Sequence, residues 1–272
     1  MAHIRKRARP PDNWLSALLD YLLAWTLAGA RWLARQAQPL LWSPTGYANP
    51  RVAHLRGALG YHLHSYEVAL TSVERWQNGQ DELFPAVLQV QTINRCNAAC
   101  AMCPYPYTIH RQPRELMDDA LFSKIVQECT VEPGLLDFVP MAKNEPLLDP
   151  RLDTRIQEFR AAALPHQMVE LVTNGSTLSA ERFRRLAASG VDLITISLNA
   201  ASAETYRLVM GGVSWQRIMR NLEEISQVDR SQVNLYLRFV KQRDNQNDYR
   251  TFVRQWGRRG FNLMAYEVNN RA

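Results

Sequence analysis

The regular alternation of strand-like and helix-like segments after residue 86 constrains the fold of this chain more than any other feature. Six apolar runs with strand periodicity lie at 86–93, 135–141, 168–173, 191–197, 232–240 and 261–268. Five segments with helical periodicity lie between them, at 117–129, 151–163, 179–189, 215–227 and 246–258. This alternation predicts parallel strands joined by right-handed helical crossovers. The nearly continuous apolar character of the strands predicts a sheet covered on both faces.

Six strand–helix units are fewer than the eight of a closed barrel. We therefore predict an α/β fold, an open partial (βα)6 barrel of TIM type with parallel strands and an N-terminal helical extension. In such folds the chemistry lies at the carboxyl ends of the strands. Functional residues are therefore expected in the loops that follow the strands.

The positive charge of the chain is concentrated near its N-terminus. The net charge of the 272 residues is +6, and residues 1–60 alone contain eight Lys or Arg against two Asp. The remaining residues contain 24 charges of each sign. A broadly basic surface for nucleic acid is therefore not expected on the main body.

The N-terminal part of the chain divides into two segments before the barrel at 86–272. Residues 1–12 are basic and rich in proline, which predicts a mobile tail, and residues 13–85 are predicted to form a helical extension. Residues 13–42 resemble a signal peptide or a membrane span, but Asp20 interrupts the apolar run. This helix could pack on its own domain or a partner, lie on a membrane surface with Arg31 and Arg35 near its end, or span the membrane.

Three of the four cysteines lie within eight positions, in the loop after the first predicted strand. Cys96, Cys100 and Cys103 form a CxxxCxxC motif, whereas Cys129 stands alone and is expected in the core. Clustering of this kind indicates a metal or cluster site in a reducing, cytoplasmic compartment rather than a disulfide framework. Three thiolates can bind three irons of a [4Fe–4S] cluster and leave the fourth iron open. A zinc site with His110 as fourth ligand is the alternative.

At these cysteines the chain resembles the radical S-adenosylmethionine (SAM) enzymes, whose signature is CxxxCxxC after the first strand of a partial (βα)6 barrel. The resemblance covers residues 84–272 and is more specific to the branch that often carries a Cys-rich C-terminal extension (SPASM type). Further matching segments follow later strands: KNEPLLDP at 143–150, which resembles the GGEP segment of the family, TNG at 173–175, SLNA at 197–200 and ETY at 204–206.

The resemblance implies a [4Fe–4S] cluster and SAM as cofactors, with Cys96, Cys100 and Cys103 as cluster ligands. Glu145 would receive the methionyl amino group of SAM. Other positions would contact the adenine, the ribose or the methionine end of SAM: Met102, Thr173, Asn174, Ser197, Asn199 and Arg238. None of these positions is assigned as a catalytic group.

The resemblance also implies that one electron cleaves SAM and that the resulting 5′-deoxyadenosyl radical abstracts hydrogen from a substrate. Reduced ferredoxin or flavodoxin would supply the electron. The substrate, a small molecule or a peptide, is not identified by the sequence. A non-catalytic iron–sulfur or zinc scaffold that keeps the fold is the alternative.

The chain departs from the family pattern at several positions. Asn144 stands where glycine is usual, and asparagine is expected to keep the turn because it tolerates positive φ. Met210 stands where an arginine usually meets the SAM carboxylate, and Arg207 is either its substitute or a solvated helix residue. The sequence stops at Ala272, where this branch commonly continues. A partner is therefore expected to cover the open C-terminal side, unless the chain is compact or truncated.

Overall fold

The computed structural model describes residues 84–267, apart from Gln112, Arg114 and Gly260, together with Leu70, Val73, Arg75 and 77–79. The tail predicted at 1–12 and most of the helical extension predicted at 13–85 lie outside these residues. The division into tail, extension and barrel therefore stays a prediction. Within the described part of the chain, no helix is long and apolar enough to cross a membrane.

The centre of the fold is a six-stranded sheet in which neighbours in space are also neighbours in sequence. All five pairings are parallel. The strands are β1 Val87–Gln89, β2 Asp137–Val139, β3 Met168–Thr173, β4 Leu193–Ser197, β5 Asn234–Lys241 and β6 Asn262–Glu267. This arrangement confirms the prediction of an α/β fold with an all-parallel sheet.

Helices connect successive strands. The α-helices of the described residues are α1 Tyr105–Thr108, α2 Asp119–Thr130, α3 Leu152–Ala162, α4 Ala180–Ser189, α5 Ala203–Met210, α6 Trp215–Ser226 and α7 Tyr249–Gly257. Short 3-10 turns lie at Ile109–Arg111, Pro146–Leu148 and Gln246–Asp248. Asp118, Ser179 and Ser214 cap the starts of α2, α4 and α6, because each side chain accepts a hydrogen bond from a backbone N–H in the first turn.

Three elements differ clearly from the prediction. The strand predicted at 86–93 pairs only over β1, because the chain then leaves the sheet and Ile93 forms an antiparallel bridge with Leu116. Helix α1 was not among the five predicted helical segments, and neither was helix α5. Helix α5 begins after Ser202, whose hydroxyl accepts the Thr205 N–H.

The two faces of the sheet have different surroundings. Ile194, Ile196 and other strand residues join the large apolar core that packs against the helices. Alternate positions face the other way, and there Leu193 forms a small cluster with Tyr236 and Met264. We call this second side the inner face. Because strand residues alternate, Ser197 of β4 and Arg238 of β5 also belong to the inner face.

Arg155 of α3 connects segments that are distant in the sequence. Its side chain is 3% exposed, and its Nη1 lies 3.3 Å from Oδ2 of the fully buried Asp149. The guanidinium also donates to the carbonyl oxygens of Thr92 and Met117 and to the carboxylate of Asp119. One buried cation therefore links the segment after β1, the start of α2 and the turn before α3.

Candidate metal and cofactor site

The loop that carries the cysteines, residues 95–104, is fixed to the C-terminal end of α5 by its backbone. The Ala99 N–H donates to the carbonyl of Gly211 at 2.8 Å, and the Ala101 N–H donates to that of Val209 at 3.0 Å. Cys103 N–H closes a turn on the Cys100 carbonyl at 3.0 Å. The spacing of the cysteines is therefore held by a helix that lies more than a hundred residues later in the chain.

Glycine is required where the cysteine loop meets this helix. A Cβ on Gly211 would lie 2.8 Å from the carbonyl oxygen of Ala99, closer than real side chains approach. Gly212 has a φ of +80°, and a Cβ there would lie 3.0 Å from the carbonyl oxygen of Asn97. The two glycines therefore allow backbone to pack directly on backbone.

A second set of contacts holds the cysteine loop from the side of β3. The Asn97 Oδ1 accepts a hydrogen bond from Asn174 Nδ2, and the Asn97 Nδ2 donates to the Ser176 hydroxyl, both at 2.8 Å. Asn221 of α6 donates to the carbonyls of Gly175 and Ser176 and so fixes the turn that follows β3. The cysteine loop is thus fixed from two sides.

All three cysteines of the motif are half-buried free thiols. Burial, together with the nearby Glu145 and Cys103, raises the pKa of Cys96 to about 11. Burial, with Cys103 and then Cys96, raises the pKa of Cys100 to about 12. Each of these groups makes ionisation of the others less favourable. The thiols of the loop therefore stay protonated unless a bound group with positive charge stabilises their thiolates.

The arrangement of the thiols bears on the kind of metal site. Among the described residues, no three His, Cys, Asp or Glu side chains surround a position for a single metal ion. A [4Fe–4S] cluster does not require this convergence, because each thiolate binds a different iron. The side chain of His110, the fourth ligand of the zinc alternative, lies outside the described residues.

Glu145 is a buried carboxylate that is bound entirely by neutral donors. It is 2% exposed. Its Oε1 accepts the Thr173 hydroxyl at 2.6 Å and the Leu147 N–H at 3.2 Å, and its Oε2 accepts the Asn174 N–H at 2.8 Å. Burial raises its pKa to about 7, although all three hydrogen bonds lower it. No basic side chain of the described residues forms an ion pair with this carboxylate.

The thiols and Glu145 fit a cofactor pair of an iron–sulfur cluster and an amino acid. Thiolates are the usual protein ligands of such clusters. A buried carboxylate fixed by three donors and lacking a cation matches a protonated amino group. The donor set therefore suits both groups that the resemblance implied.

Ser197 and Arg238 meet at the carboxyl ends of β4 and β5. They are register partners, and the Arg238 guanidinium donates to the Ser197 hydroxyl at 2.6 Å. Two residues further on, Asn199 has a positive φ of 57°. Its Oδ1 accepts the Val240 N–H at 2.7 Å, and its Nδ2 lies 3.1 Å from the Met210 sulfur. Val240 therefore lies beside Asn199, which was predicted to contact SAM. Met102, another predicted SAM contact, is half-buried on the cysteine loop.

The expected conformation of Asn144 is wrong. Among the described residues, Asn199 alone of the non-glycine residues has positive φ. Asn144 stabilises its turn differently, because its buried side-chain oxygen accepts the Ala142 N–H at 3.1 Å. The substitution of asparagine for glycine therefore needs no left-handed backbone.

Met210 takes up a core position beside the cysteines. It is 1% exposed, and its sulfur lies 3.8 Å from the Cys100 sulfur. Arg207, the suggested substitute for a cation, is exposed. Cys129 is fully buried in the apolar core, as expected.

Sequence reasoning missed the residues that hold the cysteine loop. Asn97, Ser176, Asn221 and the pair Gly211-Gly212 carry no motif of their own. Asn221 gave the best signal, because an asparagine lies there on the apolar face of a helix. The remaining contacts depend on tertiary structure alone.

Comparison with known proteins identifies relatives of this site and fold. The model of the radical SAM superfamily matches residues 90–251. A GTP 3′,8-cyclase of Synechococcus sp. is 33% identical over 129 residues, which are 46% of this chain and 35% of that protein. The mycofactocin maturase MftC of Mycolicibacterium smegmatis is 29% identical over 177 residues, 65% of this chain and 43% of that protein. The chain thus spans well under half the length of these two curated relatives.

Among solved structures, Streptococcus suis SuiB bound to the precursor peptide SuiA has a similar fold. The TM-score is 0.57 at 14% identity, over 77% of this chain and 45% of that chain. At this identity the similarity concerns the fold. It agrees with the partial barrel predicted from the alternation of strands and helices.

Proposed function

Because this chain belongs to the radical SAM superfamily, whose enzymes use a [4Fe–4S] cluster and SAM, we propose that Cys96, Cys100 and Cys103 are its cluster ligands. The observation that carries the proposal is the double fixation of the cysteine loop, by α5 on one side and by Asn174 on the other. Such fixation presents the three thiols together at the carboxyl ends of the strands. Cluster binding would also replace the protons that the raised thiol pKa values retain.

We further propose that Glu145 binds the amino group of SAM. Thr173 and the backbone of Asn174 orient its two oxygens, and its burial keeps water away from the interaction. A buried carboxylate of this kind gains most from a ligand that brings its own positive charge. Thr173 and Asn174 then act by positioning Glu145 and the cysteine loop.

The other end of the cofactor is proposed to lie against β4 and β5. Ser197 and Arg238 present a hydroxyl and a guanidinium on the inner face, which suit the hydroxyl and ring-nitrogen acceptors of a nucleoside. Asn199 and Met102 would border the same nucleoside. The thioether of Met102 can pack on an aromatic ring.

When both cofactors are bound, transfer of one electron to SAM supplies a 5′-deoxyadenosyl radical that abstracts hydrogen from the substrate. The chain positions the cofactors and shields the site from water. Its substrate class is open between a small molecule and a peptide, since the relatives named above include a GTP cyclase and an enzyme bound to a precursor peptide. Reduced ferredoxin or flavodoxin is the proposed electron donor.

Production of 5′-deoxyadenosine tests the proposal. The protein is reconstituted anaerobically with iron and sulfide and then given SAM and dithionite. We expect product from the wild type and from Cys129→Ala, whose thiol lies in the core, but none from the Cys96→Ala/Cys100→Ala/Cys103→Ala variant. A wild type that binds zinc but no cluster would overturn the assignment of ligands. A cluster that never cleaves SAM would favour the scaffold alternative.

A further inference from the structure

The phenol of Tyr206 has no role in the site described above, although it lies on the side of α5 that faces the cysteines. Tyr206 and Met210 are four residues apart, so their side chains lie one turn apart on the same face of the helix. The Met210 sulfur lies 3.8 Å from the Cys100 sulfur. The Tyr206 ring packs against Trp215, with ring centroids 5.2 Å apart. The phenol is therefore held next to the cysteine loop.

The hydroxyl of Tyr206 is buried without a hydrogen-bond partner. The residue is 1% exposed, and within the described part of the chain no atom bonds to its oxygen. A buried phenol normally finds a partner, because leaving a polar group unpaired in the interior is unfavourable. An unpaired donor at this position points to a group that brings an acceptor.

The surroundings of the phenol indicate where that acceptor lies. Burial raises the pKa of Tyr206 well above its ordinary value, and the charges of Cys100 and Glu145 raise it further. The hydroxyl therefore stays protonated and can act as a donor. The two acidic groups that raise this pKa are a proposed cluster ligand and the proposed SAM ligand.

We propose that the Tyr206 hydroxyl donates a hydrogen bond to the sulfur of the bound cluster, at the Cys100 thiolate or an adjacent sulfide, and thereby raises the reduction potential of the cluster. The proposal rests on the proposed function, because it requires the cysteines to hold a cluster. Hydrogen bonds to sulfur stabilise the more negative, reduced state of a cluster. Tyr206 thus acts on electron transfer through its hydrogen bond to the cluster.

The test compares Tyr206→Phe with a matched control, Tyr249→Phe. Both changes remove a single hydroxyl. Tyr249 lies on α7, where its ring packs against Phe239 and under the ammonium group of Lys241. The midpoint potential of the reconstituted cluster is measured by redox titration with EPR detection. Thermal unfolding of the cluster-free proteins is measured in parallel.

We expect Tyr206→Phe to shift the midpoint potential to a more negative value and Tyr249→Phe to leave it unchanged. The cluster-free Tyr206→Phe protein should be at least as stable as the wild type, because the change removes an unpaired polar atom. Loss of the cluster from a Tyr206→Phe protein of normal cluster-free stability would also support the proposal.

An unchanged potential would overturn the proposal, and so would a clear loss of stability in the cluster-free variant. The first result would show that the hydroxyl does not bond to the cluster, and the second would show a structural role. A wild type that assembles no cluster would instead contradict the proposed function. The two failures are therefore distinguishable.

Discussion

At the scale of single residues, Glu145 is a buried carboxylate whose contacts do not offset the cost of its burial. Neutral donors surround it, yet burial leaves it with a pKa of about 7. A carboxylate in this state can bind a cation strongly, because the cost of its burial is already met by the folding of the chain.

Replacement of Glu145 by glutamine tests its proposed role in SAM binding. Hydrogen bonds to charged groups contribute roughly 1.5–3 kcal/mol, so we expect the affinity for SAM to fall roughly 10- to 100-fold. Isothermal titration of the reconstituted protein with SAM measures the change. The cluster content should stay the same, since the cysteines are untouched. The matched control is Glu128→Gln, at an exposed position on α2, and equal affinity in Glu145→Gln and the control would refute the assignment.

The raised pKa of Glu145 also predicts how the stability of the cluster-free protein depends on pH. Burial raises this pKa from 4.5 to about 7, so between these values the folded state binds more protons than the unfolded state. The contribution of protonated Glu145 to the free energy of unfolding is complete below about pH 4.5. It is lost as the pH rises through 7, and the loss is at most about 3 kcal/mol. Urea unfolding from pH 5 to 8 should therefore show a steeper decline for the wild type than for Glu145→Gln. Parallel curves would contradict the raised pKa.

At the scale of elements, the junction between the cysteine loop and α5 is the critical contact. We expect Gly211→Ala to reduce the iron bound after reconstitution, because the added Cβ would push the Ala99 carbonyl out of place. Iron and sulfide analysis measures the effect. The matched control is Gly257→Ala, where the new Cβ would meet only the Leu263 side chain at an ordinary 3.8 Å. Full iron content in Gly211→Ala would show that the junction does not organise the cysteines.

Residues at the carboxyl ends of the strands are the part of the site that the sequence could predict. Glu145 and Thr173 were predicted because their segments, KNEPLLDP and TNG, resemble motifs of the family, and both segments follow strands whose carboxyl ends lie at one edge. Ser197 and Arg238 meet because a parallel register places them opposite each other. The resemblance supplied the residues, and the order of the elements supplied the edge of the sheet at which they lie.

The remaining parts depend on contacts that leave no local pattern. Helix α5 was missed because Leu208, Val209 and Met210 form a continuous apolar run that hides the helical period. Their exposure differs in the fold, where Leu208 is 56% exposed and Met210 is buried. The left-handed conformation was expected at Asn144 and occurs at Asn199, because hydrogen bonds to later elements hold Asn199 in place.

At the scale of the whole molecule, Arg155 makes the first two strand–helix units depend on one another. Replacing it by methionine would leave the fully buried Asp149 carboxylate without its cation. We expect a loss of about 3–5 kcal/mol in the free energy of unfolding, measured by urea denaturation. Arg254→Met, at an exposed position of α7, should change it by less than about 0.5 kcal/mol. Similar stabilities of the two variants would show that the Arg155 network contributes little.

The distance along the chain between the cysteines and α5 has a consequence for biosynthesis. Met210 is made 110 residues after Cys100. At roughly 5–20 residues per second, the ribosome needs roughly 5–20 s to cover this interval. During that time the thiols have left the ribosome or approach its exit, while the helix that fixes their spacing does not yet exist. The cysteine loop therefore acquires its fixed spacing only once α5 has been synthesised, and not when the cysteines themselves are made.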